Sequence, residues 1–459
     1  MTASVSLRHI LIICVLVGTI SGLGATLFFA GVEFGSDLLL KQLAGFMYPW
    51  EGDSLAQASQ WAPPHTIWLI LPILLAGALV SGLIVWKFAP ETEGHGTDAA
   101  LKSYHENSKI RWRVPLVKAI SSILTISSGG SAGCEGPIAQ ISAGFGSIIS
   151  DICKFTGEER RLAIVIGIGA GVGAIFKAPI GGALLAAEIL YLRDCRPAVF
   201  FPALLASGIG YAIFGAFFGY RPLFATISMD WSALQLPLFV VLGLLAAAIG
   251  FLYIKSFYGS KKLFDRLEHR FRIPKFLKPV IGAGIMGLLI IGLSYLAPET
   301  LIAAVGCLGT GYGFVQLTLF NLLPFAALLI LPFLKIICTS LTIGSGASGG
   351  VFAPGISVGA FTGAALAMGL HLLFPEYVPL AAVPLFAIVG MIALFGGISH
   401  APFAMLIMVI EMTGSVTVLI PAAIAVALAC LLLRTCTIFK QQRVSETDGR
   451  VAGDLPANR

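Results

Sequence analysis

Charged residues are unusually scarce in this sequence. Only 11% of its 459 residues are charged and 57% are hydrophobic, whereas soluble domains carry about a quarter charged residues to cover their surface. A water-soluble protein is therefore excluded, and a lipid bilayer is the expected solvent. Because lipid offers the backbone no hydrogen-bond partner, the spanning segments must satisfy their own amides. We therefore expect an all-α, polytopic membrane protein.

Clusters of catalytic or metal-binding side chains are also missing. The seven histidines are scattered without a His-x-x-x-His pattern, and the eight cysteines show no Cys-x-x-Cys spacing. The glycine-rich stretches lack the lysine spacing of a phosphate-binding loop. These absences argue against an enzyme, and they predict that the protein uses no metal and no cofactor.

Long apolar runs are abundant, and runs of about 20 residues can cross a bilayer as helices. We predict such segments at 8–31, 66–89, 197–219, 234–255, 278–297, 315–337, 380–397 and 402–433. The stretches 113–150, 160–190 and 342–374 are equally poor in charge but are interrupted by glycine and proline, which predicts broken or partial helices. Irregular backbone at membrane depth must be enclosed by protein or line a cavity, so these stretches should contain the transport path.

The basic residues indicate the orientation, because lysine and arginine accumulate on the cytoplasmic side. They cluster at 255–278 and again after the last apolar run, and Arg8 precedes the first run. We expect a multi-pass protein of the cell membrane, the inner membrane if the source is bacterial, with both termini cytoplasmic. This explanation of the net charge of +6 requires no nucleic-acid partner. We expect the polar segment 444–459 to be a short, disordered cytoplasmic tail without a regulatory domain.

The chain also contains an internal repeat, since residues 115–137 align without a gap on residues 332–354. The matched residues include Pro115, Lys118, Gly133 and Pro137, which recur as Pro332, Lys335, Gly350 and Pro354. Pro179 and Glu188 recur in the same order and at the same spacing as Pro402 and Glu411. We interpret the chain as two related membrane halves, 1–230 and 231–443. Such duplicated halves are typical of transporters whose site lies between the repeats, although a shared packing motif of small residues is an alternative.

Each half carries a Gly-x-x-x-Pro element, at 133–137 and at 350–354. A glycine-rich loop followed by a helix that has proline in its first turn leaves amide donors free at the positive end of the helix dipole. Two such elements facing each other could replace the hydration shell of a halide.

Glu135 lies in the first of these elements, where the second carries Phe352. A carboxylate inside a membrane indicates function. When ionised it could occupy the place of the anion, and protonation would release it, which makes Glu135 a candidate gate or proton carrier. The alternative is a structural carboxylate that caps a helix. The repeated Glu188 and Glu411 lie late in a helical run, and this position favours structural bonds between helices.

These motifs resemble the CLC family of chloride channels and chloride/proton antiporters. GCEGP at 133–137 resembles the family's G-R-E-G-P gating element, and GSGASGGVFAPGISVGAFTGA at 344–364 resembles its G-x-F-x-P region. The resemblance covers nearly the whole chain. It implies a homodimer with a pore in each subunit, two halves of opposite orientation, and Glu135 as the external gate. The residues whose backbone it places along the anion path are Gly133, Gly136, Pro137, Val351, Phe352 and Ala353.

Four positions depart from the family pattern. GHGTD at 94–98 replaces G-S-G-I-P, so His95, followed by Gly96, stands where a serine usually meets the central anion. It could donate an N–H or simply be a neutral interfacial histidine. Cys134 replaces an arginine beside the gate, and Phe439 replaces a tyrosine that usually contacts the anion.

The fourth departure is Ile189, which stands at the position of the inner proton-carrying glutamate. Isoleucine cannot carry a proton, so Glu188 or water would have to supply an inner route. We therefore favour a passive, voltage- or pH-gated chloride channel, with a chloride/proton antiporter as the alternative. A cation-coupled solute transporter, an alternative of a different class, would need buried Asp or Asn for its cation, and the apolar runs show few.

Overall fold

A computed structural model describes residues 5–64, 66–155, 157–227 and 229–454. The chain is 74% helical, and across these ranges the extended backbone is limited to isolated bridges. The all-α prediction is therefore confirmed.

Eighteen α-helices follow one another along the described chain. The first nine are α1 Leu7–Ser36, α2 Leu55–Ala58, α3 Ile70–Phe88, α4 Thr97–Glu106, α5 Arg113–Ser127, α6 Glu135–Ile152, α7 Gly157–Ile175, α8 Pro179–Glu188 and α9 Pro197–Phe218. The other nine are α10 Leu236–Phe271, α11 Lys278–Ser294, α12 Pro298–Gly306, α13 Tyr312–Leu319, α14 Phe325–Gly344, α15 Phe352–Leu373, α16 Val383–Ser399, α17 Pro402–Thr413 and α18 Leu419–Leu432.

Eight helical segments of the described chain are long and apolar enough to cross a membrane, so the protein is a multi-pass membrane protein. Two of the predicted spans are wrong as continuous helices. The run 315–337 is divided between α13 and α14 by Asn321, whose φ of 56° ends the helix, and by Pro324. The run 402–433 is divided between α17 and α18 at Gly414, whose φ is 68°. Hydropathy detects burial in lipid but not these local breaks.

The helices pack closely in the same way in both halves. In the first half α6 packs on α7, and a Cβ on Gly146 would collide with the carbonyl of Ala163. In the second half α15 packs on α16, and a Cβ on Gly363 would collide with the carbonyl of Phe386. Small residues let helix backbones approach in this way. The core of the molecule lies at α16, all of whose residues are buried.

The two halves also contact each other reciprocally through α8 and α17. The carboxylate of Glu188, at the end of α8, accepts a hydrogen bond from the Ala404 amide at the start of α17 (2.9 Å). The carboxylate of Glu411, in α17, accepts from the amides of Ile180 and Gly181 at the start of α8 (3.1 and 2.7 Å). Reciprocal contacts of equivalent residues are typical of a two-fold relation. The boundary at 230/231 falls between α9 and α10, and the division into halves stays a prediction.

The polar segment after Arg443 differs from the expectation of disorder. Within the described residues, the Val444 carbonyl accepts from the Arg193 amide (3.1 Å), and the Ala452 amide donates to the Gln442 carbonyl (2.7 Å). The segment 444–454 is therefore held against the membrane domain by backbone hydrogen bonds, which its polar composition does not reveal. Residues 455–459 lie outside the described chain.

Candidate functional site

The two Gly-x-x-x-Pro elements meet at the centre of the molecule. The Gly133 amide donates to the Gly350 carbonyl, and the Gly350 amide donates to the Gly133 carbonyl, both at 2.7 Å. Immediately after this antiparallel bridge, α6 begins at Glu135 and α15 begins at Phe352. Two helix N-termini from different halves are thus brought together. Their first amides have no partner within their own helices and can bind a small anion.

Glu135 is buried within this arrangement and is 2% exposed. Its Oε1 accepts a hydrogen bond from the Tyr312 hydroxyl (2.6 Å), and its Oε2 accepts from the Ala353 amide (3.3 Å). Ala353 lies in the first turn of α15, so the carboxylate reaches across to the opposite half. It accepts from an amide at the start of α15.

Gly136 and Pro137 complete the first turn of α6. A Cβ on Gly136 would collide with the His95 carbonyl, so the loop that carries His95 lies directly against the first Gly-x-x-x-Pro element. Pro137 lacks an N–H, but in the first turn that group would have no helical acceptor. Neither residue disrupts the helix, and both allow close approach of the loop.

Aromatic rings extend from the second element toward Phe439. The Val351 carbonyl, just before α15, accepts from the Tyr253 hydroxyl (2.9 Å). The rings of Phe352 and Phe395 lie 4.2 Å apart between centroids, and the centroids of Phe395 and Phe439 lie 6.4 Å apart. Phe439 is 2% exposed. The structure therefore brings Phe439, which is distant in sequence, close to the meeting point of the two elements.

His95 lies beside Phe439, with 5.8 Å between ring centroids, and it is 6% exposed. Its Nε2 lies 3.3 Å from Oδ2 of Asp98, while its Nδ1 is buried and has no hydrogen-bond partner among the described residues. Gly96, the next residue, has a φ of 83° and precedes α4. A buried ring nitrogen without a partner requires an explanation, and a bound anion or water would provide one.

The repeated lysines explain how these loops are held. Lys118 is fully buried, and its Nζ donates to two carbonyls of the loop before Gly96, at 3.0 and 2.6 Å. Lys335 is also fully buried, and its Nζ donates to two carbonyls of the loop before Gly311, at 3.1 and 2.9 Å. Gly311 has a φ of 89° and precedes α13. The loop 309–311 is thus the counterpart of the loop 94–96.

Tyr312 is the functional candidate that sequence reasoning missed. It begins α13 directly after the loop 309–311. The sequence did contain a signal for this loop, because a Gly-x-Gly motif precedes the repeated lysine in both halves, at 94–96 and at 309–311. The spacing to the lysine differs by two residues between the halves, so a gapless alignment does not extend that far.

The two residues predicted for an inner proton route lie together at the α8 end. Ile189 is buried, and its carbonyl accepts from Nε2 of Gln442 (3.1 Å). Glu188 is 8% exposed, and its carboxylate caps α17 as described above. At this position the Ile189 side chain is apolar, and the Glu188 carboxylate already accepts a hydrogen bond.

Cavities of opposite character lie on the two faces of the molecule. We call the end that carries residues 44–54 the gate face. Its cavity of about 40 Å³ is lined by Glu135, Tyr312, Glu33 and Glu51. Burial, reinforced by the neighbouring carboxylates, raises the pKa of Glu51 to about 7. The cavity of about 380 Å³ on the other end, the basic face, is lined by several lysines and by Thr437, two residues before Phe439.

Comparison with known proteins adds an independent observation. A family model described as voltage gated chloride channel matches residues 77–434. The H(+)/Cl(-) exchange transporter ClcA of Salmonella arizonae is 30% identical over 441 residues, which cover 92% of this chain and 85% of that protein. An uncharacterized protein of Methanocaldococcus jannaschii is 30% identical over 376 residues, which cover 82% of this chain and 87% of that protein.

Solved structures share the fold. A slow cyanobacterial Cl−/H+ antiporter superposes with a TM-score of 0.77 at 25% identity, over 92% of this chain and 94% of that chain. A CLC-type fluoride/proton antiporter superposes with a TM-score of 0.77 at 21% identity, over 96% of this chain and 98% of that chain.

Proposed function

Since this chain belongs to the family of voltage-gated chloride channels, the CLC family, we propose that it transports chloride across the membrane in exchange for protons. The observation that carries the proposal is the Glu135 carboxylate, which lies at the start of α6 and accepts a hydrogen bond from the Ala353 amide of α15. This position supports a carboxylate that excludes the anion when ionised and accepts a proton when the anion binds.

The anion path in this proposal runs between the two halves. Amides at the starts of α6 and α15 replace the hydration of chloride. They are those of Gly136, Val351 and Phe352, joined by that of Ala353 once Glu135 has left it. The Gly133 amide is bonded to the Gly350 carbonyl and holds the two elements together. Fixed dipoles of this kind bind an anion without a buried cation that would hold it too tightly.

Two side chains complete the central site on the side of the basic face. His95 supplies its unpartnered Nδ1, which donates to the anion in the form of the ring that carries a proton there. The Phe439 ring lines the site without donating a hydrogen bond. The lysines of the basic face attract chloride to this end, because a cleft lined by one sign of charge raises the local concentration of the counter-ion.

The proton path shares only the gate with the anion path. Glu135 takes up a proton, loses its charge and leaves the Ala353 amide, and chloride then occupies that donor. On the inner side Ile189 cannot carry a proton, and the Glu188 carboxylate is engaged with the Ala404 amide. We assign the inner route to water, with Glu188 in a structural role.

The passive channel that Ile189 favours at the level of sequence is less well supported than the exchanger. Relatives that match most of this chain are named exchange transporters, and the solved structure at 25% identity is an antiporter. We also propose, from the family resemblance, a homodimer in the cell membrane, the inner membrane in a bacterium, with both termini in the cytoplasm and with 1–230 and 231–443 as the two inverted halves.

The deciding experiment measures coupling in proteoliposomes. With chloride equal on both sides, an imposed pH gradient should drive net chloride movement, and a chloride gradient should drive protons in the opposite direction. Protein-free liposomes and the Glu135→Gln variant are the controls. Chloride flux that follows only its own electrochemical gradient, with no proton movement, would establish a passive channel and reject the exchanger.

A further inference from the structure

The hydroxyl of Tyr312 is the donor that lies closest to the Glu135 carboxylate, at 2.6 Å. Tyr312 is 4% exposed, and it lies in the half opposite to the gate. A phenol can donate to an ionised carboxylate without giving up its own proton. Such a charge-assisted bond is stronger than a neutral one, and it favours the ionised form of the carboxylate over the protonated form.

The ring of Tyr312 is fixed by its neighbours. It meets the ring of Phe224 edge to face, with centroids 5.4 Å apart at 87°, and it lies 6.4 Å from the ring centroid of Phe176. Two aromatic contacts thus hold this buried ring with its hydroxyl toward the carboxylate. The hydroxyl is therefore already oriented for this bond.

The loop before Tyr312 is fixed as well. The Tyr48 hydroxyl donates to the Leu308 carbonyl (2.8 Å) and accepts from the Gly311 amide (3.1 Å). Lys335 donates to the Gly309 carbonyl (2.9 Å). Tyr48 belongs to the segment between α1 and α2, on the gate face. The Tyr312 hydroxyl, at the start of α13, is therefore positioned both by this segment and by the repeated Lys335.

The arrangement exists in one half only. The repeat places Phe352 opposite Glu135, and the loop correspondence of 94–96 with 309–311 places Thr97 opposite Tyr312. Neither Phe352 nor Thr97 can form the equivalent bond, because one has no carboxylate and the other has no phenol. A scaffold built from two similar halves thus carries a carboxylate–hydroxyl pair on the gate face alone.

We propose that Tyr312 is a latch that holds ionised Glu135 in the closed position and thereby sets the pH at which the gate opens. Tyr312 is a positioning residue, because it acts through Glu135. When a proton adds to the carboxylate, the charge that strengthens the bond disappears, the neutral acid leaves Tyr312 and the Ala353 amide, and Tyr312 keeps its own proton. The inference rests on the proposed role of Glu135 as the gate.

Other charged and titratable groups also face the Glu135 carboxylate, and they are the same in the wild type and in Tyr312→Phe. The groups that line the gate-face cavity or the cavity next to it are Glu33, Tyr48, Glu51, Cys134, Lys177 and Arg221. Removal of the Tyr312 hydroxyl leaves all of them unchanged, so a shift caused by that removal is separable from their contribution.

The test is the pH profile of chloride efflux from proteoliposomes containing Tyr312→Phe. Loss of the bond to the charged carboxylate should move the midpoint of activation by about 1 pH unit toward higher pH, a tenfold change in the ratio of ionised to protonated gate, or about 1.4 kcal/mol. Tyr104→Phe is the matched control. It also removes the hydroxyl of a buried tyrosine, which accepts from Nη1 of Arg196 at 2.6 Å, and its profile should coincide with that of the wild type.

A second measurement tests whether the hydroxyl acts through the gate. In a Glu135→Gln background, adding Tyr312→Phe should leave the profile unchanged, since no ionised carboxylate remains to be latched. If Tyr312→Phe does not fold, 3-fluorotyrosine at position 312 keeps the shape and donates more strongly, and it should move the midpoint toward lower pH. A midpoint unchanged by either replacement overturns the latch. Persistence of pH dependence in Glu135→Gln alone would instead reject the gate itself.

Discussion

Replacing Glu135 with glutamine tests the gate most directly. Glutamine keeps the size of the side chain and its acceptor oxygen but removes the charge. In the closed position the carboxylate accepts two hydrogen bonds, at 2.6 Å from Tyr312 and at 3.3 Å from the Ala353 amide. A hydrogen bond to a charged group contributes about 1.5–3 kcal/mol and a neutral one about 0.5–1.5 kcal/mol.

The difference for the two bonds together is about 2 kcal/mol, because the second bond is long and contributes less than the first. At 1.4 kcal/mol for each factor of ten, the closed position loses a factor of about 30 relative to the open one. We therefore expect Glu135→Gln to pass chloride at neutral pH at a rate that the wild type reaches only in acid. The variant should also lose its pH dependence and its coupling to protons.

The assay is chloride efflux from proteoliposomes, recorded together with proton movement from acid to neutral pH. Glu411→Gln is a suitable control, because it makes the same chemical change at the repeated carboxylate that caps α8. The argument is refuted if Glu135→Gln retains the pH dependence of the wild type. It is also refuted if the control loses that dependence to the same extent.

Three further tests address separate parts of the structure. Phe439→Tyr should tighten chloride binding measured by calorimetry, because it adds a hydroxyl donor at the central site; unchanged binding would remove Phe439 from the path. Glu411→Gln should lower the melting temperature, because the carboxylate caps α8 by accepting from the Ile180 and Gly181 amides; a melting temperature equal to that of the wild type would contradict this. Burial raises the pKa of Glu51 from 4.5 to about 7, so folding disfavours its ionised form. The wild type should therefore lose stability, relative to Glu51→Gln, as the pH rises from about 4.5 to about 7, and parallel stability curves would contradict the raised pKa of this carboxylate.

Much of the fold was predictable because its signals are local. Apolar composition is averaged over a whole segment, so the membrane class and most spans could be read directly. The breaks at Asn321 and Gly414 were missed because each depends on a single residue with positive φ, which a hydropathy window averages away. The order in segment 444–454 was missed because it arises from backbone hydrogen bonds to other parts of the chain.

The candidate site divides in the same way. Glu135 and the two Gly-x-x-x-Pro elements are contiguous motifs, and their roles stay predictions that the experiments above test. Their partners could not be inferred, because the partner of a side chain is decided by which distant segment packs against it. The Glu135 carboxylate could have capped its own helix, and instead it reaches Ala353 and Tyr312 in the other half.

By itself, the amino-acid sequence determined that this is a membrane protein, that it contains an internal repeat and that it belongs to a family of chloride transporters. Composition and short motifs at fixed spacing carry that information along the chain. Only the tertiary structure decided that Tyr312, 177 residues away, donates to Glu135, and that Glu188 and Glu411 each cap a helix of the opposite half. Those contacts form because the two similar halves pack against each other and bring together segments that are distant in sequence, which no local pattern encodes.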